Sequence, residues 1–171
     1  MIVNNHNVYR LSNIVRYCQL SKIKNETVAE HSFFVMWFIN WICTQHEISD
    51  KIRLMALEAG LYHDVPEAIT NDITYDVKKL IPDIPRILQP YEEDIIGEHS
   101  KVAVKVLYNP ETYEEILANK IVNHADNLSV LQYCENEEIL GNREFITLKL
   151  DSHERVKKSF EEFKTALEGG K

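Results

Sequence analysis

The feature that most restricts the fold of this chain is an absence: its apolar residues do not alternate with polar ones over any strand-length stretch. They recur instead with helical spacing, and only five prolines and five glycines interrupt them. An all-α domain follows, with helices expected at 11–18, 28–45, 50–62, 77–80, 91–108, 111–135 and 142–167. Pro66 ends a helix just after Asp64. Pro82, Pro85 and Pro90 mark an irregular connection, and Gly141 precedes the last helix.

A chain of 171 residues suits one domain, 1–171 with its core at about 10–165, that buries roughly two thirds of its unfolded surface. Cys18, Cys43 and Cys134 are an odd number at wide separations, so reduced, buried thiols in a cytoplasmic protein are expected. The start, MIVNNHNVYRLSN, has no basic end followed by an apolar run and a cleavage site, which argues against export. The most apolar run, 33–43, is interrupted by Asn40 and falls short of the about 20 residues that span a bilayer. Its aromatic residues Phe33, Phe34, Trp37, Phe38 and Trp41 read as core.

With 19 Lys and Arg against 27 Asp and Glu, the net charge of −8 repels a nucleic-acid polymer but permits a small anion held by a few local cations or a metal. The acidic groups Glu92, Glu93 and Asp94, Glu137 and Glu138, and Glu161 and Glu162 lack the 12-residue spacing of a calcium loop and read as solvated faces. Glu30, His31, Glu58 and His63 are different, because they fall in or beside apolar segments where polar groups need partners.

His31, His63, Asp64 and Asp126 are candidate ligands for one divalent cation. Imidazole nitrogen and carboxylate oxygen suit Mn, Fe, Co, Zn or Mg, and the absence of a cysteine cluster argues against a structural zinc. Adjacent residues on a regular helix point about 100° apart, so His63 and Asp64 reach one ion only if the helix end relaxes before Pro66. His124, two residues from Asp126 on the same helix, diverges from it and is expected to pack elsewhere.

A His-Asp dipeptide is common, and the order of the whole chain is more specific. Ala-Glu-His-Ser at 29–32, Leu-Tyr-His-Asp-Val-Pro-Glu-Ala-Ile-Thr-Asn-Asp at 61–72 and Asn-His-Ala-Asp-Asn-Leu-Ser-Val at 123–130 resemble the HD superfamily of helical phosphohydrolases over 16–145. Within it the chain resembles the bacterial 5′-deoxynucleotidases. The further matches are Arg16 with an aromatic neighbour, His-Asp-x-x-Glu at 63–67, Asp72, and Gly-Asn-x-Glu-Phe at 141–145.

The resemblance implies that His31, His63, Asp64 and Asp126 hold one divalent ion, which activates a water for attack on phosphorus. It makes Glu67 the carboxylate that orients that water and moves protons. It makes Arg16 the phosphate clamp, since a guanidinium matches phosphate oxygens in pairs. It leaves Asp72 two roles, accepting the sugar 3′-hydroxyl or placing water, and leaves Lys78 either on phosphate or as a solvated helix lysine.

The implied substrate is a deoxynucleoside 5′-monophosphate, with a homodimer as the assembly. The departures bear on substrate choice: Tyr17 stands where the family carries a Trp against C2′ of the sugar, Asn123 where it tends to carry Lys, and 73–76 replace a proline-rich loop. Triphosphate removal from a deoxynucleoside triphosphate such as dATP is the second expectation. A non-catalytic nucleotide sensor, and a metal-free helical scaffold, are the readings from other classes.

Overall fold

Short polar side chains set where the long helices begin. Helix α1 (Val28–Gln45) starts from Thr27, whose hydroxyl oxygen accepts the Glu30 N–H at 3.2 Å while Glu30 Oε2 accepts the Thr27 N–H at 2.8 Å. Thr112 and Glu115 repeat this reciprocal cap. It opens the 27-residue helix α7 (Tyr113–Ile139). Between them lie α2 (Asp50–Tyr62), α3 (Glu67–Thr70), α4 (Tyr75–Leu80), α5 (Ile84–Gly97) and α6 (Lys101–Tyr108). Helix α8 (Ile146–Glu168) closes the order, and 3-10 turns occupy Tyr9–Ser12 and Arg143–Phe145. This computed structural model describes residues 8–170; the first residues of the stretch read against export, 1–7, and Lys171 lie outside them.

Helix α7 forms the axis, packed by α8, α1 and α2, with α6 laid against α2. The main core joins Val35, Ile39 and Ile42 of α1, Ala56 and Ala59 of α2, Leu117, Ile121 and Ala125 of α7, and Phe163 of α8. Gly60 lets α2 come close to α1, because a Cβ there would collide with the buried Ile39 side chain. A second cluster, Leu11, Val28, Val65, Ala68 and Ile95, packs the N-terminal turn against the end of α2. A third, Val130, Tyr133, Cys134 and Phe145, fills the far side of α7.

The fold is all-α, as the apolar spacing predicts, and α1 and α2 have the expected limits. Other expectations are corrected. Residues 11–18 do not form a helix: after the Tyr9–Ser12 turn the chain extends, and Val15 makes an isolated antiparallel bridge with Thr27. The helix expected at 91–108 is two helices. They part at Ser100, whose hydroxyl oxygen accepts the Ala103 N–H at 2.9 Å and whose O–H donates to Glu58 Oε1 at 2.5 Å.

Phe33, Phe34, Trp37 and Trp41 are not core; they are exposed along the outer face of α1, and Phe38 is half-buried. The apolar content of α1 exceeds what its inner face accommodates, so periodicity alone misplaces the surplus. Glu137 is not a solvated residue. Its fully buried carboxylate accepts N–H groups from Ile23 (2.8 Å), Lys24 (2.7 Å) and the Asn142 side chain (2.6 Å). Glu92 is also half-buried, accepting the Tyr108 hydroxyl at 3.1 Å. Cys43 and Cys134 are buried thiols, whereas Cys18 is exposed.

Candidate functional site

The end of α2 explains how two consecutive residues reach one place. Beyond Tyr62 the chain tightens into a turn, with Val65 N–H bonded to Tyr62 O, Glu67 N–H to Asp64 O and Ala68 N–H to Val65 O. The i→i+4 bonding of the helix gives way to i→i+3 bonds while His63 keeps helical backbone angles. His63 Nε2 and Asp64 Oδ2 come within 3.2 Å. Helix α1 brings His31 from the other side, its Nε2 lying 3.5 Å from Asp64 Oδ2 and 3.0 Å from Asp126 Oδ1 of α7. Donor atoms of His31, His63 and Asp64 all fall within 4.8 Å of one another. Asp126 joins them through its contact with His31.

Both imidazoles are oriented from behind. The Nδ1 atom of His31 is 3.0 Å from the hydroxyl of Ser129, and that of His63 is 2.7 Å from the carbonyl oxygen of Gly60. Each ring thus turns Nε2 inward, the arrangement that metal-ligating histidines require. His63 Nε2 is buried and makes no hydrogen bond among the described residues. Such an orphaned nitrogen, among a second imidazole and two carboxylates, fits a divalent ion held by nitrogen and oxygen.

The electrostatics agree with a site assembled for a cation. Burial alone would raise the Asp64 carboxyl, but His63, then His31 and Arg16, hold it well below the usual carboxylate range. Burial would also raise Asp126, and its bond to His31 keeps it low. Burial pushes His31 down, assisted by the Arg16 charge. Burial opposes charge on His63 too, yet Asp64 outweighs it and raises the imidazole to about 9.

Glu67 opens α3, and its Oε2 is buried without a hydrogen-bond partner. Burial, then the charges of Asp64 and Asp72, push its carboxyl up to about 9. Arg16 Nη1 donates to Glu26 Oε2 at 2.9 Å, and the charges of Asp64 and Asp126 reach the guanidinium as well. Lys78 is exposed on α4, near enough that its charge lowers both Glu67 and Glu92.

Tyr17 takes a left-handed backbone, φ 54°, and its N–H donates to Asp72 Oδ2 at 3.3 Å. Its ring stacks on Tyr133, centroids 5.0 Å apart, and meets the edge of Phe145. The Tyr17 hydroxyl is buried without a partner. His124 points away from the site, bonded through Nδ1 to the Ser159 hydroxyl at 2.9 Å.

Two polar residues here were not singled out from the sequence. Ser129 lies three residues after Asp126, on the same face of α7, a spacing that would have found it. Glu26 precedes α1 in a short polar stretch, and no local pattern marks it; only the bridge between Val15 and Thr27 brings it to Arg16.

A helical frame that gathers His, His-Asp and Asp from three helices places the chain among HD-domain phosphohydrolases. It belongs to the 5′-deoxynucleotidase YfbR-like family, whose model matches residues 5–166. A 5′-deoxynucleotidase of Erwinia tasmaniensis is 27% identical over 154 residues, covering 82% of this chain and 75% of that protein. A dATP triphosphohydrolase of Acinetobacter phage SH-Ab 15497 is 31% identical over 91 residues, 47% of this chain and 44% of that one. Among solved structures, the cyanophage S-2L HD phosphohydrolase DatZ, bound to dA and one catalytic Zn2+ ion, superposes with a TM-score of 0.66 at 16% identity. That superposition covers 98% of this chain and 99% of DatZ.

Proposed function

We propose that this protein hydrolyses 2′-deoxynucleoside 5′-monophosphates to deoxynucleoside and phosphate with one divalent metal ion. The observation that carries the reading is the convergence of His31, His63, Asp64 and Asp126, with the buried His63 Nε2 making no hydrogen bond although it lies 3.2 Å from Asp64 Oδ2. These four residues hold the ion, whose identity among Co, Mn, Mg, Zn and Fe is set by availability. When bound, a divalent cation offsets charge on the phosphoryl oxygens and acidifies water. DatZ carries Zn2+ and dA, which supports both the metal and a deoxyadenosine-type ligand.

The chain's own residues supply the rest. Glu67, beside the cluster with an uncommitted Oε2, is raised by burial and by Asp64 and Asp72 in the metal-free protein; with a cation offsetting those charges it would be ionised and take the proton of the attacking water as the new P–O bond forms and the P–O5′ bond breaks. Glu67 then passes that proton to the departing O5′, so water and monophosphate are consumed, nucleoside and phosphate are released, and the carboxylate is restored. Arg16 binds the phosphate, and its permanent charge remains available whatever the pH. Asp72 holds the Tyr17 backbone and thereby the sugar side of the site, accepting the 3′-hydroxyl or placing water. Tyr17 borders the sugar, and Lys78, within electrostatic reach of Glu67, meets the phosphate from the rim.

Partial similarity to a dATP triphosphohydrolase favours triphosphate removal as the second reading. The test supplies apo protein with Mn, Co, Mg, Zn or Fe and resolves the products from dAMP, AMP and dATP. Orthophosphate from dAMP, with little from AMP, is expected. Tripolyphosphate from dATP would install the second reading. No turnover with any base or metal, with Glu67→Ala as competent as the parent in nucleotide binding, would leave the sensor.

A homodimer is part of this proposal, and the exposed aromatic face of α1 supports it. Phe33, Phe34, Trp37 and Trp41 present a continuous apolar surface of the kind that a second copy covers. Light scattering on the parent and on Trp37→Glu tests it, with a dimer and a monomer as the expected masses. No helix among the described residues is long and apolar enough to cross a membrane. A cytoplasmic location is proposed on that and on the absence of disulfides among the described cysteines.

A further inference from the structure

An arginine side chain has many rotamers, so a guanidinium that is to meet a phosphate oxygen needs something to hold it. Glu26 occupies that place. Its Oε2 accepts from Arg16 Nη1 at 2.9 Å, and the two side chains keep only 7% and 12% of their exposure. The backbones are tied as well. Arg16 N–H donates to Glu26 O at 2.9 Å, and Val28 N–H to Ile14 O at 3.0 Å, around the bridge of Val15 with Thr27.

The register is therefore fixed from both directions. Thr27 caps α1, and His31 lies one turn further along that helix, so the carboxylate gripping Arg16 is built into the same rigid start that carries a metal-site histidine. The guanidinium feels the charges of Asp64 and Asp126 of the His and Asp cluster as well as that of Glu26, which alone of the three bonds it. The pair uses one of the five donors of a guanidinium and leaves the others for an oxyanion.

We infer that Glu26 is a positioning residue, locking Arg16 so that its remaining N–H groups face the phosphate, and that it influences ligand binding only through Arg16. This rests on the reading of Arg16 as the phosphate clamp. Nothing in the geometry asks Glu26 to touch substrate.

Calorimetric titration of dAMP and of deoxyadenosine into zinc-loaded protein, with Glu67→Gln present to prevent turnover, tests it. Glu26→Ala should weaken dAMP about tenfold and leave deoxyadenosine within about twofold. In an Arg16→Ala background the same substitution should change dAMP affinity no further, the signature of two residues acting as one unit. Glu26→Gln, whose amide oxygen still accepts from Nη1, should lose about threefold, and it carries the test if the alanine variant does not fold.

Equal weakening of both ligands, or an effect that adds to that of Arg16→Ala, would show a merely structural role and overturn the inference. A strong Arg16→Ala effect with none from Glu26→Ala or Glu26→Gln would also overturn it, leaving the clamp standing. Unchanged dAMP affinity in Arg16→Ala would remove the clamp reading and this inference together.

Discussion

Ser129 and His31 meet across the interface of α7 and α1, hydroxyl oxygen to Nδ1 at 3.0 Å, and both are buried. That contact selects which imidazole nitrogen faces the carboxylates. Ser129→Ala should weaken metal binding by about 10- to 100-fold while the helix content stays unchanged. Competition against a fluorescent chelator measures the first, and circular dichroism the second. Parent-like metal affinity in the alanine variant would mean that packing alone orients His31.

Glu67 gives a sharper test of chemistry. Its carboxyl is buried without a partner, so Glu67→Gln keeps the shape and removes the base. Turnover of dAMP should fall by about 100- to 10,000-fold, with KM and metal content near those of the parent. Loss of metal instead would assign Glu67 to the ion's environment.

The pH dependence of stability in the metal-free protein follows from three raised groups. His63, raised from 6.5 to about 9, contributes stability that is present below 6.5 and lost as pH rises through about 9. Burial raises Glu26 to about 7 and, with neighbouring acids, Glu67 to about 9. Because the folded state favours their protonated forms, each lowers stability as pH rises from the ordinary carboxylate value to its raised one. Below pH 6.5 the lowered His31 and His124 oppose this trend, so thermal melting of chelator-treated protein should show Tm falling from pH 6.5 to pH 9. Glu67→Gln should recover about 3 °C or more at pH 8, the shift that 1 kcal/mol produces in a domain of this size. Zinc should stabilise more strongly at the alkaline end, where its ligands shed protons. A flat metal-free profile would contradict all three shifts.

Glu137 has no contact with the metal cluster, yet it organises the approach to it. Glu137→Ala would leave the N–H groups of Ile23 and Lys24 without their buried acceptor. At about 1–3 kcal/mol for each, the melting temperature should drop by about 6 to 18 °C. Because the loop that leads to Glu26 is held there, dAMP affinity should fall as well. A variant that melts like the parent would show that water replaces the carboxylate without loss.

How much was legible in advance depends on how local each signal is. The limits of α1 and α2 can be read from sequence because runs of helix-forming residues continue up to Gln45 and Tyr62. The break at Ser100 is harder to read, since Lys101–Tyr108 continues a helical pattern and only a hydroxyl serving both Ala103 and Glu58 parts the segments. The aromatic face of α1 defeats a reading by hydropathy, which does not tell an inner apolar face from an outer one. His31, His63, Asp64 and Asp126 could be named because their types and order are distinctive; their distances could not, since the turn at 63–66 depends on hydrogen bonds that no spacing encodes. Glu26 was hidden for a similar reason, taking its meaning from a partner 10 residues away, whereas the spacing of Ser129 from Asp126 marks its face of the helix although not its partner 98 residues away.

Helix α7 acts as a ruler. Asp126, Ser129, Tyr133 and Glu137 stand on it at steps of three, four and four, all along one face. They touch in turn His31, His31 again, the Lys24 carbonyl with the Tyr17 ring, and the Ile23 and Lys24 amides. One side of a single rod thus measures out the His and Asp cluster, the Tyr17 ring and the loop that leads to Glu26. A residue inserted between 126 and 137 would turn everything beyond it by about 100° and unseat several of these contacts at once, whereas Gln132 and Asn136, exposed on the same rod, are free to vary.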